Sequence, residues 1–569
     1  MANKKFSEFD LKTSTADVDF VVGYDGTDNV RISPANLAPT APVTSVNSLT
    51  GAVSLGLTQL DDVGSDGTNG QVLTTNGSGS FTFATAGGGG ASSLNGLTDC
   101  LVDTGSLYVG EVPAGLSGNP QGNTILGIDA GNALTTGTTN VAIGFEALST
   151  ATATNNKDCV AIGYRALKNQ NALVPARNIA IGFEAGRDLT TVNGNVLIGS
   201  MVSRIATTGT TASVVVGNFA MYLNSGAAKS VVIGHYAGSN GSGGDGVSIG
   251  YQAGQNNTNV GHHSIGYHAG FSQTSGGNNT NLGFEAGYSN TTGAFRTMLG
   301  YQSGKSQTGG ANTFIGSLAG GSRSGSGTQN VAIGNNALRY LENADNTAIG
   351  SSAGQYADST SSKNVMIGSQ AMAGAFGSKS NNVAVGYQAG FAVTTGADNT
   401  LVGYQAGDAI TTGGSNVAIG KNALGNSTAS QLTAVGDGAG SSNTFAQKNT
   451  YIGYSAGSGN ATGFNNCYLG YAAGAQNQNG QRNTAVGSLS ALGTFNNAAT
   501  SSNTCLGYAA GTTLTTGGDG NTLVGDIAGS TLTTMFLLKS SVLVVRVSLV
   551  RLKNHMSCKA PNLLINVTL

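Results

Sequence analysis

Residues Asn399 to Gly420 read "NTLVGYQAGDAITTGGSNVAIG": Asn, a β-branched residue, two more residues and Gly, then nearly the same five again seventeen positions on. Aligned on that Gly, the phrase occurs 24 times, from Gly127 and Gly144 through Gly334, Gly403 and Gly420 to Gly525, at spacings of 16 to 20 residues. Self-similarity at such a period is the signature of a solenoid, in which each repeat is one turn that cannot bury a core alone.

The residues around the Gly assign the turn. The position before it is Ile, Val or Leu in all 24 copies, and three before it 22 of 24 are Val, Ile or Thr. Residues two apart on an extended chain share a face, so Val141 with Ile143, and likewise Ile333 and Ile419, are expected on the inner face of a short strand. Four before the Gly, 17 of 24 are Asn, as at Asn140, Asn330 and Asn416. Asn tolerates turn conformations and bonds nearby backbone, which suits the corner entering the strand. Three after the Gly, 21 of 24 are Ala, as at Ala147, and a Gly or Leu usually follows. The small residue implies close approach of neighbouring backbone, and the Gly marks the corner out. All length variation falls in polar stretches such as "FAVTTGAD", read as loops on one side of each coil.

The expected fold is all-β: a parallel β-solenoid of about 24 rungs over residues 123–534, stacked at ~4.8 Å into a rod on the order of 110 Å long. Each coil has few inward residues. Three rods meeting through their small Ala and Gly faces would add burial, so a homotrimer is expected.

Composition sets the outer limits. Of 569 residues 90 are Gly and only 9% are charged, against averages of about 7% and 25%. Gly in such quantity leaves a chain disordered unless its positions are ordered, and here they are. A net charge of -2 carries no electrostatic footprint for nucleic acid or an anionic membrane. The start, "MANKKFSEFDLKTSTADVDF", has no apolar run after its lysines, and no uncharged apolar stretch of 18 residues occurs, so neither a signal peptide nor membrane insertion is expected. The five cysteines form no CxxC pair, which argues against a disulfide framework.

Residues 1–40 read as an N-terminal attachment segment, with "DFVVGYDGTDNVRI" as a hairpin around Asp25-Gly26. Residues 41–122 are rich in Gly, Ser and Thr, with short strands and a flexible joint at Gly87–Gly90. Residues 535–569 depart from the pattern: no Gly, no acid, and no further rung where "STLTT" promises one. A cap and a shifted reading frame are both open readings there; Lys539 and Arg546 cut a membrane span too short.

The slots in Asn140–Ala147 and Asn416–Ala423, "NVAIGFEA" and "NVAIGKNA", resemble the head repeats of trimeric autotransporter adhesins. That resemblance implies a left-handed parallel β-roll in a trimer. The period here is longer than that family's, and no coiled-coil stalk follows. The stretches "VTSVNSLTGAVSLGL", "LTQLDDVGSDGTNGQVLTTNGSGSFTFAT" and "LYVGEVPAGLSGNPQGNTILG" are similar to the openings of structural and fibre proteins of tailed phages of marine bacteria. This second resemblance implies a virion location, after synthesis in a host cytoplasm. It also implies partners among other virion proteins through the N-terminal segment and a host-surface glycan or protein as receptor.

Motifs for chemistry are few. "GYQSGKS", Gly300–Ser306, has three residues between its glycines where a phosphate loop needs four. "GSGGDGVSI", Gly241–Ile249, occurs once, whereas calcium rolls repeat it. His262, His263 and His268 form the one histidine cluster, but their slots point in different directions, so no metal site is expected. Aromatic residues follow the Gly in twelve rungs, Tyr251, Tyr267, Phe284 and Tyr301 among them; exposed, they could stack on sugars, and buried, they pack rung on rung. No catalytic constellation and no cofactor motif recurs. The expected function is a phage virion fibre-like structural protein that displays loops and helps host-surface adhesion. A polysaccharide-depolymerising tailspike and a bacterial surface adhesin are the alternatives.

Overall fold

The computed structural model describes residues 20–24, 29–32, 71–75, 81–85, 100–103, 105–110, 543–544 and, apart from short loop segments, 121–530. The chain divides into two compact units between Thr98 and Asp99. In the first, β1 (Phe20–Tyr24) pairs antiparallel with β2 (Asn29–Ile32), the expected hairpin. β3 (Gln71–Thr75) pairs antiparallel with β4 (Phe81–Thr85). The Asp25-Gly26 turn, the Gly87–Gly90 joint and the segment before residue 20 lie outside the described residues.

The second unit is a single ladder. β5 (Cys100–Asp103) pairs antiparallel with β6 (Ser106–Gly110), and from β6 onward every strand is parallel to the next. The 24 Gly-centred phrases form the 24 strands from β7 (Thr124–Gly127) to β30 (Thr522–Val524), with no helix among the described residues. Register is strict: Val331 lies against Thr347, Ala332 against Ala348 and Ile333 against Ile349. Each described register joins a strand to its sequence neighbours, so the sheet is an open stack and not a closed barrel.

Both ends of this ladder reach beyond the expected bounds of 123 and 534. Ser106–Gly110 is a further turn, Tyr108 facing Ile125 and Gly110 facing Gly127. Its "SLYVG" lacks the usual Asn but keeps the aliphatic-Gly ending. At the other end β31 (Leu543–Val544) pairs parallel with Thr522 and Leu523, so a strand does follow there without the repeat phrase. The rest of 535–569 lies outside the described residues.

The turns stack as expected, but they face the other way. In every strand from β8 (Val141–Ile143) to β30 the middle residue is buried and its two neighbours are not. Ala142, Leu197, Phe314 and Tyr451 point inward at 0% exposure, while Val141, Ile143 and Ile333 are half-buried on the outside and Ile419 is 39% exposed. The expectation of a β-branched inner face is therefore wrong in phase. The coil is too narrow for a β-branched pair inside. It admits one strand residue, the Asn, the corner Ala such as Ala147 and the residue after it, such as Leu148, all at 0% exposure in that turn and its like.

Four corners close each coil. Thr139, Glu146 and Leu148 take left-handed φ of 59°, 53° and 52°, and the phrase Gly itself sits at φ 122° to 141° in the repeats. Only that last corner demands Gly outright: a Cβ on Gly334 or Gly420 would lie 2.5 Å from the carbonyl oxygen of the next turn's Gly. Such an approach also explains the invariance of the slot. Backbone bonds tie turn to turn at the corners as well as in the strand, as in Gly144 N–H to Leu126 O at 2.8 Å and Leu148 N–H to Ala166 O at 2.9 Å.

The Asn slot is an internal brace and not a surface turn. The Asn140 N–H bonds Asn123 Oδ1 at 2.9 Å, and Cys159 N–H bonds Asn140 Oδ1 at 3.0 Å. Its amide meanwhile donates to Asn156 O at 2.9 Å, across the coil. The same pair of bonds recurs at Asn330 and Asn416. Each Asn thus supplies partners to two buried backbone groups that no strand or corner reaches.

The alternation of Gly and Leu after the corner Ala is a matter of volume. That side chain and the inward strand residue share one space. Leu148, Leu167, Leu338 and Leu424 each accompany an inward Ala (Ala142, Ala161, Ala332, Ala418). Where the inward residue is Phe314 the corner is Gly320, whose Cβ would lie 2.5 Å from the ring. Interiors pack at near-crystal density, so a large residue at one site is commonly met by a small one at the other, the flexible pair Met366 and Met372 being an exception.

Candidate interaction surface

The inverted phase puts a continuous apolar stripe on the outside. Ile181, Ile233, Ile367 and Ile419 expose 36 to 39% of their surface, and Leu126, Leu282, Leu469 and Leu506 expose 42 to 46%. Since one such residue stands on every turn and the turns are in register, the stripe is unbroken from β7 to β30. Single exposed hydrophobics need no explanation, but contiguous patches of this kind mark interaction surfaces.

Next along each turn comes the aromatic slot, and here both readings of the sequence hold in part. Phe145, Tyr164 and Phe183 stack at 5.5 and 5.1 Å between centroids. A longer tract runs His235, Tyr251, Tyr267, Phe284 and Tyr301 at 5.1 to 5.5 Å, and pairs form at Tyr387–Tyr404 and Tyr454–Tyr471. The rings pack face on face yet stay exposed, Tyr301 by 49% and Tyr471 by 55%. Within a tract, neighbouring rings cover the faces and the edges meet solvent. Tracts end where the slot holds Ser200, Ser317 or Ser488.

A polar column follows on the next residue. Glu146 binds Lys168 at 2.8 Å and Arg165; these hydrogen bonds, Lys168 foremost, hold its carboxyl below the usual range. Glu184 meets Arg204 at 2.6 Å and Arg187 at 3.1 Å. Against the effect of its partial burial, Lys305 at 2.7 Å and Gln302 at 2.7 Å hold Glu285 low as well. The Lys305 of "GYQSGKS" is therefore an ion-pair partner, and Gly300 and Gly304 are turn corners with φ 129° and 56°.

The histidines separate as the slots imply, though not in the sense expected. His263 is on the outer face and exposed, His262 points inward at 1% exposure, and His268 is half-buried and bonds Gln252 at 2.6 Å. No group of three metal-ligating side chains occurs among the described residues. Cys159 and Cys505 are interior substitutions whose thiols burial pushes up to about 11 and about 12.

The sequence reading missed two groups. Arg296 stands in an Asn slot, 2% exposed, with none of its guanidinium nitrogens hydrogen-bonded. Lys379 is buried at an inner corner, its Nζ 3.1 Å from Met372 O and 3.3 Å from Val393 O. Arg296 was legible as the basic residue in the Asn column; Lys379, in a loop of variable length, carried no signal.

The chain is a parallel β-solenoid repeat protein with an apolar outer stripe. Comparison with known protein families, curated proteins and solved structures gives no match.

Proposed function

We propose that this chain is a fibre-like structural protein of a tailed-phage virion, in which three copies join along the aliphatic stripe and the loops face the host surface. The observation that carries the reading is the unbroken outer row of Ile, Val and Leu. Two dozen turns at on the order of 50 Å² each exceed the ~800 Å² per partner of stable interfaces. Identical rows at identical spacing also match copy to copy without adjustment. This replaces the expected Ala and Gly contact, because the Ala side chains are spent inside the coil. Adhesion then works by avidity, many weak loop contacts adding through one rigid support. The carboxylates Glu146, Glu184 and Glu285 are each tied to cations, which favours a structural role for them over a depolymerase.

Light scattering on the full chain tests the assembly. The expected mass is three times 56.5 kDa, and Ile367→Lys with Ile419→Lys should lower it while leaving the β-sheet circular dichroism intact. A monomer at micromolar concentration overturns the trimer. Immunogold labelling of purified virions tests the location, and label confined to bacterial envelopes overturns it.

A further inference from the structure

The interior changes character in mid-stack. In the turns of Gly250, Gly266 and Gly283 the inward strand residues are Ser248, Ser264 and Asn281, and the corners that share their space are Gly254, Gly270 and Gly287. The Asn brace lapses nearby, its slot held by Ser213, Ser230, Gly246 and His262 in succession. At Gly246 the slot has no side chain at all. An internal cavity of about 20 Å³ opens there, with Ser230, Gly246, Ser248, Gly254, Asn257 and His262 among its lining residues.

One hydrogen-bond donor on that lining lacks a well-formed hydrogen bond to the protein. His262 Nδ1 lies 2.8 Å from Gln273 Nε2, which also donates to Gly276 O. That donation to a carbonyl fixes the amide's orientation, and Gln273 Oε1 then faces the Asn281 amide at 3.5 Å. An amide nitrogen only donates, so Nδ1 accepts and the imidazole proton sits on Nε2. Nε2 is buried and makes no hydrogen bond of good geometry among the described residues; the Asn259 main chain is the one protein group that favours its proton, and it is the weakest influence on the ring. An unmet buried donor is costly, and polar lining with this much room meets the requirement for a bound water.

We propose that this cavity is a binding site for one ordered water, which accepts the His262 Nε2 proton and takes over the bracing role of the side chain missing at Gly246. The lining selects water from other small ligands. It carries no cationic side chain to hold an anion, and one imidazole with no carboxylate or thiolate is a poor metal set. Ser230, Ser248, Asn257 and His262 outnumber the apolar Met221 and Val232 on the wall, which disfavours an apolar guest.

A crystal structure of the full chain at a resolution that shows waters, with a second crystal under xenon pressure, decides the matter. The expected result is a peak within ~3 Å of His262 Nε2, no xenon, and loss of the peak in His262→Leu. A xenon atom in the cavity, or an imidazole turned so that Nε2 bonds a main-chain carbonyl directly, overturns the proposal. The unsubstituted chain alone gives this answer if the variant does not fold.

Discussion

The turns around Gly453 and Gly470 and those around Gly250 and Gly266 share one backbone and have opposite interiors. In the former, Tyr451 and Tyr468 are fully buried, their hydroxyls bonded by Asn460 at 2.7 Å and by Asn477. Asn466 N–H bonds Asn449 Oδ1 at 2.7 Å, so the brace is intact. In the latter the interior is Ser, Gly, Gln273 and a single His beside the corner residues Ala253 and Ala269, and the apolar core parts accordingly. One cluster ends at Ala237 and the other begins at Ala286. Register is nonetheless the same in both, strand residue against strand residue. The backbone ladder and the corner glycines therefore fix the geometry, and the interior side chains set how firmly each stretch is held. On the outside the relation reverses. The longest aromatic tract, His235 to Tyr301, spans the polar-lined turns, with the Glu285–Lys305 pair beside it. The outer columns tie turns together where the interior ties them least.

The largest test of this contrast is substitution at one slot in both stretches. Tyr451→Ala should cost ~3–5 kcal/mol through cavity formation, whereas Ser264→Ala should change stability by less than ~1 kcal/mol. Urea unfolding of the full chain, read by hydrogen exchange turn by turn, measures both. Equal losses would break the comparison. Without substitution, amides of 246–283 should exchange before those of 433–470, because stability in stacked repeats is a sum over neighbours.

A smaller effect tests the brace itself. Asn399→Ala removes the acceptor of Asn416 N–H at 3.0 Å and the donor to Gly413 O at 3.0 Å. Leaving these buried groups unmet should cost about 2–3 kcal/mol, seen as a lower urea midpoint. The opposite sign is expected at Arg296→Asn. Burial pushes the guanidinium down to about 9, so it is charged at neutral pH, and with no partner it should destabilise the turn by about 2 kcal/mol relative to Asn. A higher melting temperature for that variant checks it.

Fold and period were legible because the chain repeats them: 24 aliphatic-Gly pairs, 21 of them with the corner Ala, define one strand per phrase. The facing of that strand was not legible. Alternation says that Val141 and Ile143 share a face, and it is silent on which. The usual rule that aliphatics go inside then misleads, since a coil this narrow takes Ala142 in and leaves Ile143 out. The Asn column was visible, but its role was not, because a brace between turns depends on the inward direction. The pairing of Leu148 with Ala142 and of Gly320 with Phe314 was present in the text and needed only the knowledge that both point into one space. The interaction stripe follows from the same inversion, so a single unresolved bit of phase hid both core and surface.

The finest difference between the two stretches is in acid. Burial first, and then the like charge of His263, hold the His262 imidazole down to about 4, against about 6.5 in an unfolded chain. Between those values the unfolded state takes a proton that the native state refuses, so stability falls as pH drops through the window, by at most about 1.4 kcal/mol per pH unit. Glu146 and Glu285, held low by their cations, add their loss only below the ordinary carboxylate range, near pH 4.5, as pH falls through their native values. The tyrosines of the other stretch are raised by burial, well above neutrality, and do not respond in acid. Hydrogen exchange at pH 7 and pH 5 should therefore quicken in turns 246–283 relative to turns 433–470, after correction for intrinsic rates. His262→Asn should remove most of that difference, with His268, which partial burial also holds low, keeping the remainder, and should leave the carboxylate loss below pH 4.5 in place. An unchanged slope between pH 7 and pH 5 in His262→Asn would assign the acid sensitivity to His268, the other imidazole of this stretch that burial holds low, and not to the cavity wall.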